Sequence, residues 1–365
     1  MNLINKKYIK QLKPTSKIGL ISDTHLSISS KSNNFLSHMD AMFAEFKDLC
    51  IKEKVDLIII TGDLFHAKSS VNTIALIKTN DILQDLSQVC PIIVIPGNHD
   101  IPLLDSPEIT LASNYKHFDA IKVIEYPSYF CIGDKQFVFV PYHGDILNML
   151  KDIKSKLNFE KNKIDLFGHF GVTSFKVHEY SSQLINTTAA QVSVSELKDF
   201  NRVFLGHYHS YQSKKNITYV SAPLQSRHGD ELGKHGFVIY DLKTEEHKFY
   251  SNKVTPKFIT FELNKQTAKD MLGLENHYIR IFVRKKVSKE LIVALRQKLI
   301  QKNYEVKIII DYFDITQIPS IKGFKDIIFN DDETLITNYL LQLEKQNNLP
   351  FSKKNLLKHL EIDFK

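Results

Sequence analysis

Five short runs of the chain end in clusters of histidine, aspartate and asparagine, and that recurrence constrains the fold more than any other feature. Ile18–Ser22, Val55–Ile60 and Ile92–Ile95 are short and almost wholly apolar, and helical spacing separates them at 35–54 and 71–86. Short all-apolar strands between helices imply a sheet covered on both faces. Each of these strands runs into a polar cluster, SDTH, TGDLFH and PGNHD respectively. Ile164–Gly168 then ends at His169, and Val203–Gly206 ends at His207. In open α/β sheets, sites form at the carboxyl ends of strands.

The polar residues at those ends are Asp23, His25, Asp63, His66, Asn98, His99, His169, His207 and His209. Packing alone explains such a set poorly, because burying so many polar groups is costly unless something satisfies them. Asp23 and His25 are two apart, as are His207 and His209. On an extended strand end each pair points to one side. Mixed carboxylate, imidazole and amide donors suit Mn²⁺, Fe or Zn²⁺ better than Mg²⁺ or Ca²⁺, which prefer oxygen shells. An aspartate can bridge two such ions, and the pair can clamp a phosphate.

The rest of the chain frames this site. The 365 residues fit one large domain and a smaller one. The hydrophobic share of 43% allows a sizeable core, and the net charge of +7 is compatible with a polyanionic partner. The three cysteines show no CxxC spacing, which argues against a disulfide framework or zinc knuckle and for a reducing compartment. No stretch approaches the ~20 apolar residues of a membrane span, so the expected location is the cytoplasm, or the host cytoplasm if the chain is phage-encoded.

From 121 to 141 the texture turns to hairpins, with a Gly133–Asp134 turn, and a helix is expected over Ile146–Lys156. Ile217–Ser221, Gly236–Leu242, Glu246–Tyr250 and Lys257–Leu263 read as strands that finish this layer. The expected architecture is α/β: two facing sheets flanked by helices over 1–263, a small α+β domain over 264–330, and C-terminal helices over 331–365. Ser288 is a plausible N-cap in the small domain.

The motifs DTH (23–25), GDLFH (62–66), GNHD (97–100), GH (168–169) and GHYH (206–209) occur in this order. Together they resemble the five-motif signature of calcineurin-like metallophosphoesterases, over roughly residues 17–210. That resemblance implies one metal held by Asp23, His25, Asp63 and His209, and a second held by Asp63, Asn98, His169 and His207. It implies that His99 faces the scissile phosphate or leaving oxygen, with Asp100 orienting it from behind. The Leu64-Phe65-His66 run is similar to that of SbcD-type nucleases and implies that His66 contacts a DNA phosphate.

The resemblance further implies two divalent ions, with Mn²⁺ favoured, DNA as substrate, a homodimer, and an SbcC-class SMC-type ATPase as partner. The small domain would bind DNA and the terminal helices would dock on the ATPase. The competing reading is a phosphatase or cyclic-nucleotide phosphodiesterase of the same fold. A scaffold that has lost the chemistry is disfavoured, since every ligand position is filled.

Several further residues have two readings. His143 could line the cleft. His228 and His235 read as exposed loop histidines, and His178 and Glu179 could form a rim. Arg280, Arg284, Lys285 and Lys286 make one strand of the small domain basic, either as a solvated face or as a phosphate-contacting one.

Overall fold

The computed structural model describes residues 16–26, 34–66, 71–102, 109–132, 135–159, 163–176, 192–264, 270–285 and 287–310. The expected terminal helices, the turn at 133–134, His178, Glu179 and Lys286 lie outside them.

The chain opens with β1 (Lys17–Ile21), α1 (Asn34–Glu53), β2 (Leu57–Ile60), α2 (Thr73–Ser87), β3 (Ile92–Val94) and β4 (Ile121–Val123). These four strands run parallel. β11 (Gly236–Asp241) and then β12 (Glu246–Ser251) extend the same sheet antiparallel beyond β1. The second sheet is built from β5 (Ser128–Ile132), β6 (Lys135–Val140), β7 (Ile164–His169), β8 (Val203–Gly206), β9 (Gln212–Lys214) and β10 (Ile217–Tyr219). Its order is β5-β6-β7-β8-β10-β9, with β6, β7, β8 and β10 parallel. The helix α3 (Ile146–Lys156) falls where its spacing predicts.

Alternation along the apolar strands assigns each face a task. Leu57 and Ile59 of β2 join Ile18 and Leu20 in a core that also contains Phe137, Phe139, Phe167 and Phe204 of the second sheet. Ile58 and Ile60 point the other way, into a core with Met39, Phe43 and Phe46 of α1 and Leu83 and Leu86 of α2. A third core packs α3 against the outer face of the second sheet through Ile146, Leu150 and Ile153. Both faces of both sheets are buried, which is why β2 reads as an unbroken apolar run.

One strand departs from expectation. β13 (Phe258–Glu262) does not finish the layer of the preceding strands. It pairs parallel with β14 (Tyr278–Val283), which pairs parallel with β15 (Glu305–Ile310). The helix α4 (Lys289–Ile300) connects β14 to β15, and the Ser288 hydroxyl caps it by accepting the Leu291 N–H at 3.3 Å. Phe258, Tyr278 and Tyr304 stack in series, and the Tyr278 hydroxyl lies 3.3 Å from His38 of α1. An aromatic seam therefore seats the small sheet on the first helix.

Among the described residues no helix is long and apolar enough to cross a membrane. All three cysteines are free. Burial raises the Cys50 thiol well above its usual range, and burial with the charge of Asp56 pushes Cys90 up to about 12. The thiolate is the reactive form. In native protein a thiol reagent should therefore label the half-buried Cys131 first, with Cys50 and Cys90 reacting only after denaturation. Rapid modification of three thiols in the folded protein would contradict this.

Candidate metal centre

The five polar clusters meet at one end of the two sheets. The segments after β1 and β2 leave side by side: Asp23 N–H donates to Gly62 O at 2.9 Å, His25 N–H to Asp63 O at 3.0 Å and Leu26 N–H to Leu64 O at 2.8 Å. Asp23, His25, Asp63 and His207 all have positive φ, at 49°, 45°, 50° and 96°. This corrects the simple extended-strand picture of Asp23 and His25. Left-handed backbone at non-glycine residues costs of order 1–3 kcal/mol each and persists only where surroundings enforce it. Here the enforcing bonds include His207 N–H on both carboxylate oxygens of Asp23, each at 3.1 Å.

Two groups of donors result. In the first, His25 Nε2 and His209 Nε2 face each other at 3.1 Å. Asp63 Oδ2 is 3.9 Å from His25 Nε2, and Asp23 Oδ1 is 3.9 Å from His209 Nε2. In the second, Asn98 Oδ1 lies 3.1 Å from His169 Nε2 and 3.0 Å from His207 Nδ1. Asp63 Oδ2 is 3.4 Å from His169 Nε2. One oxygen of Asp63 thus belongs to both groups, while its other oxygen accepts the His99 N–H at 2.8 Å.

The separations of 3.0, 3.1 and 3.4 Å fit bound ions, whereas the two carboxylate–imidazole distances of 3.9 Å in the first group are longer. Ligand atoms about 2.1 Å from one divalent ion stand roughly 3–3.4 Å apart. The two facing Nε2 atoms can share one proton in an N–H···N hydrogen bond, or both give their lone pairs to one ion. The partner of His169 also fits, since its Nδ1 donates to Thr61 O at 2.8 Å and orients the ring with Nε2 inward.

The electrostatics point the same way. Burial raises the Asp23 carboxyl, with His169 and His209 opposing. For Asp63 burial also works upward, but His169, His25 and His99 outweigh it and hold the carboxyl low. Burial lowers His25 and His207 to about 3. Burial works against charge on His169 as well, yet Asp63 and then Asp23 hold it up at about 9.

At neutral pH the metal-free His169 is therefore an imidazolium, and a metal needs its lone pair. Mn²⁺ uptake at pH 7 should release about one proton from this position, with apparent affinity rising up to ~tenfold per pH unit until about pH 9. Calorimetry in buffers of different ionisation enthalpy measures the release, and buffer-independent heats would refute it.

His99 and His66 stand at the mouth, their rings nearly parallel at 17° with centroids 5.6 Å apart. The expected role of Asp100 needs correction. The ring of His99 is oriented by His66, whose carbonyl accepts from Nδ1 at 2.6 Å. The buried Asp100 carboxylate instead accepts the backbone N–H groups of Leu64 (3.2 Å), Phe65 (2.9 Å) and Gly97 (2.9 Å). It reaches His99 only through the loop it holds.

His143 Nδ1 accepts the Asp145 N–H at 3.0 Å. His228 and His235 are not exposed loop residues. His228 packs edge-on against Phe258, and His235 sits between the carbonyls of Ala222 and Asp230. Arg280 and Arg284 pair with Glu231 and Glu262 and flank Phe282, so acidic partners offset part of that basic strand.

Sequence reasoning missed Tyr142, whose ring lies 6.4 Å from His169 and 6.3 Å from His207. Its position at the end of β6 was the available signal. It also missed the glycines. A Cβ on Gly62, where φ is +104°, would run into the His169 ring, and one on Gly206 would run into Ser22 and the Thr61 carbonyl.

The family model for calcineurin-like phosphoesterases matches residues 16–211, which span all of these ligand candidates. The chain belongs to the calcineurin-like phosphoesterase family. It is a metallophosphoesterase, and the family's fold holds a dimetal site for which this chain has candidate ligands.

Among curated relatives it is 25% identical to an SbcCD nuclease subunit of Staphylococcus epidermidis, over 63% of this chain and 67% of that protein. It is 29% identical to the DNA double-strand break repair protein Mre11 of Sulfurisphaera tokodaii, over 52% of this chain and 48% of that one. It is 23% identical to exonuclease subunit 1 of Enterobacteria phage T4, over 53% and 55%. The chain thus spans about half the length of several curated relatives it matches. A solved dimetal phosphatase from Danio rerio aligns at 12% identity with a TM-score of 0.39, covering 63% of this chain and 93% of that one.

Proposed function

We propose that this chain is a manganese-dependent DNA exonuclease and endonuclease subunit. It would hydrolyse phosphodiester bonds, acting as a homodimer with an SbcC-class ATPase in double-strand-break repair and recombination. The observation that carries this reading is the placement of His66 and His99 together at the mouth, beside the shared Asp63. The names of the nuclease relatives support the DNA substrate and the ATPase partner.

In this reading Asp23, His25, Asp63 and His209 hold one divalent ion, and Asp63, Asn98, His169 and His207 hold the other. Two such ions supply positive charge for the phosphate oxygens and make water acidic enough to attack at neutral pH. The chain's own residues do the rest. The Thr61 carbonyl fixes the His169 ring. The Asp23 carboxylate fixes the backbone of His207. The His66 carbonyl accepts from Nδ1 of His99 and so aims Nε2 at the departing oxygen, to which the ring, when it carries a proton on both nitrogens, would give the Nε2 proton. His66, the more exposed of the pair, steadies the phosphate from the rim.

The test is cleavage of linear single- and double-stranded DNA with Mn²⁺, alongside a small phosphodiester. Cleaved DNA supports the nuclease. Intact DNA with a rapidly cleaved small ester, unchanged when the ATPase is added, moves the substrate to a phosphatase or cyclic-nucleotide phosphodiesterase.

A further inference from the structure

Beside the two four-residue ligand groups stands a third group of donors, which shares His25 with the first. His25, His66 and His99 can each offer one ring nitrogen, and those atoms lie within 4.8 Å of one another. The rings enclose a small space: His25 stands edge-on to His66 at 5.4 Å and edge-on to His99 at 4.9 Å, while His66 and His99 face each other across 5.6 Å. Two details show that free nitrogens remain. His25 turns Nε2 toward His209, and its Nδ1 is buried without a hydrogen-bond partner. His99 commits Nδ1 to the His66 carbonyl, which leaves Nε2.

This group differs in chemistry from the other two. Each of those contains a carboxylate, a donor that suits Mn²⁺. Here the donors are imidazole only, a set that favours Zn²⁺, Ni²⁺ or Cu²⁺ over Mn²⁺ and Mg²⁺. Three histidines with the remaining positions open is a well-formed zinc environment.

We infer that His25, His66 and His99 form a third, nitrogen-only site at the mouth that takes Zn²⁺ but not Mn²⁺, and that filling it shuts the enzyme. The inhibitory half of this inference rests on the nuclease reading, in which His66 and His99 must be free to meet the phosphate. An ion held by both rings would withdraw them together and take His25 through Nδ1, so His25, with Nε2 on the neighbouring group's ion, would bridge as an imidazolate and release its ring proton to solvent. The protein would then tell two metals apart by where they bind: Mn²⁺ fills the carboxylate-containing groups, and excess Zn²⁺ adds one ion more.

The experiment counts ions. Metal-stripped full-length protein and its His66→Ala variant are equilibrated with Mn²⁺ or with Zn²⁺, desalted and assayed for metal per chain. His66 is exposed, so its replacement should leave the fold intact, which circular dichroism checks. The expected result is one more Zn²⁺ per chain in wild type than in His66→Ala, with equal Mn²⁺ counts in both. Equal Zn²⁺ counts in the two proteins overturn the third site, whatever the activity. The Mn²⁺ count tests the dimetal reading separately, since a chain that binds no Mn²⁺ defeats that reading and leaves the Zn²⁺ difference to be judged alone. Added Zn²⁺ should also suppress DNA cleavage by the Mn²⁺-loaded wild type, with loss of activity tracking occupancy of the extra site. Full activity with that site filled would remove the inhibitory role.

Discussion

Asp63→Ala should lose both cleavage and metal, whereas His99→Ala should lose cleavage and keep its metal. Asp63 contributes one oxygen to both donor groups, 3.4 Å from His169 Nε2 and 3.9 Å from His25 Nε2. Asp23 also lies near donors of both groups, His25 and His209 on one side and Asp63 and His169 on the other, but Asp63 brings a single oxygen to each. Each ion is worth several kcal/mol to the charge that develops on phosphate, and about 1.4 kcal/mol is a tenfold change in rate. Losing either ion therefore costs upward of about a thousandfold.

His99 touches neither group as a ligand in this reading. Its N–H rests on Asp63 Oδ1 at 2.8 Å through the backbone, and that bond survives truncation of the ring. Losing a general acid costs about 10²–10⁴-fold with metal content unchanged. Asp63→Asn sharpens the comparison: it preserves an acceptor for the His99 N–H but removes the charge, so it should resemble Asp63→Ala in metal content. Should His99→Ala lose metal as Asp63→Ala does, His99 is a ligand and the assignment of groups is wrong. Should Asp63→Ala retain two ions per chain, the shared-oxygen geometry does not describe the loaded enzyme.

How much of this was legible in the sequence follows from physical range. The parallel strands could be read because burial on both faces forces unbroken apolar runs such as Leu-Ile-Ile-Ile at 57–60. The candidate ligands could be read because strand ends are where the fold leaves polar side chains room. β13 could not be placed from sequence. Its residues are half-buried and its pattern suits any sheet, so only pairing with β14 decides its home. The partner of His99 was equally hidden. It is a backbone carbonyl, and the sequence shows no carbonyls, so an adjacent aspartate looked like the natural choice. Left-handed turns at Asp23, His25 and Asp63 were invisible for the same reason: they are imposed by hydrogen bonds between segments about 40 residues apart.

The aspartate that proved not to touch His99 carries the second large expectation. Asp100→Ala should destabilise the protein by about 3–5 kcal/mol, because it strips one buried acceptor from three backbone N–H groups. Leu64 and Phe65 lie in the GDLFH loop and Gly97 opens GNHD, so the carboxylate joins two motifs that supply different ligands. Burial and the neighbouring Asp63 push this carboxyl up to about 7, against the pull of the three amides. Its negative charge is thus partly a liability, and its oxygens are what the loops need.

Asp100→Asn tests that division. An amide oxygen in the place of Oδ2 keeps the bonds to Leu64 and Gly97, while the amide nitrogen faces the Phe65 N–H and repels it. Denaturant midpoints should therefore fall in the order wild type, Asn, Ala. Activity should follow through geometry, since the loop that Asp100 holds carries the His66 carbonyl that orients His99. A misplacement of about 1 Å costs roughly a hundredfold, so kcat should drop under conditions where the variant is folded and its metal count is that of wild type. A kcat unchanged in folded Asp100→Ala would mean that His99 needs no orientation from this loop, and the chain of support from Asp100 through His66 to His99 would have to be abandoned.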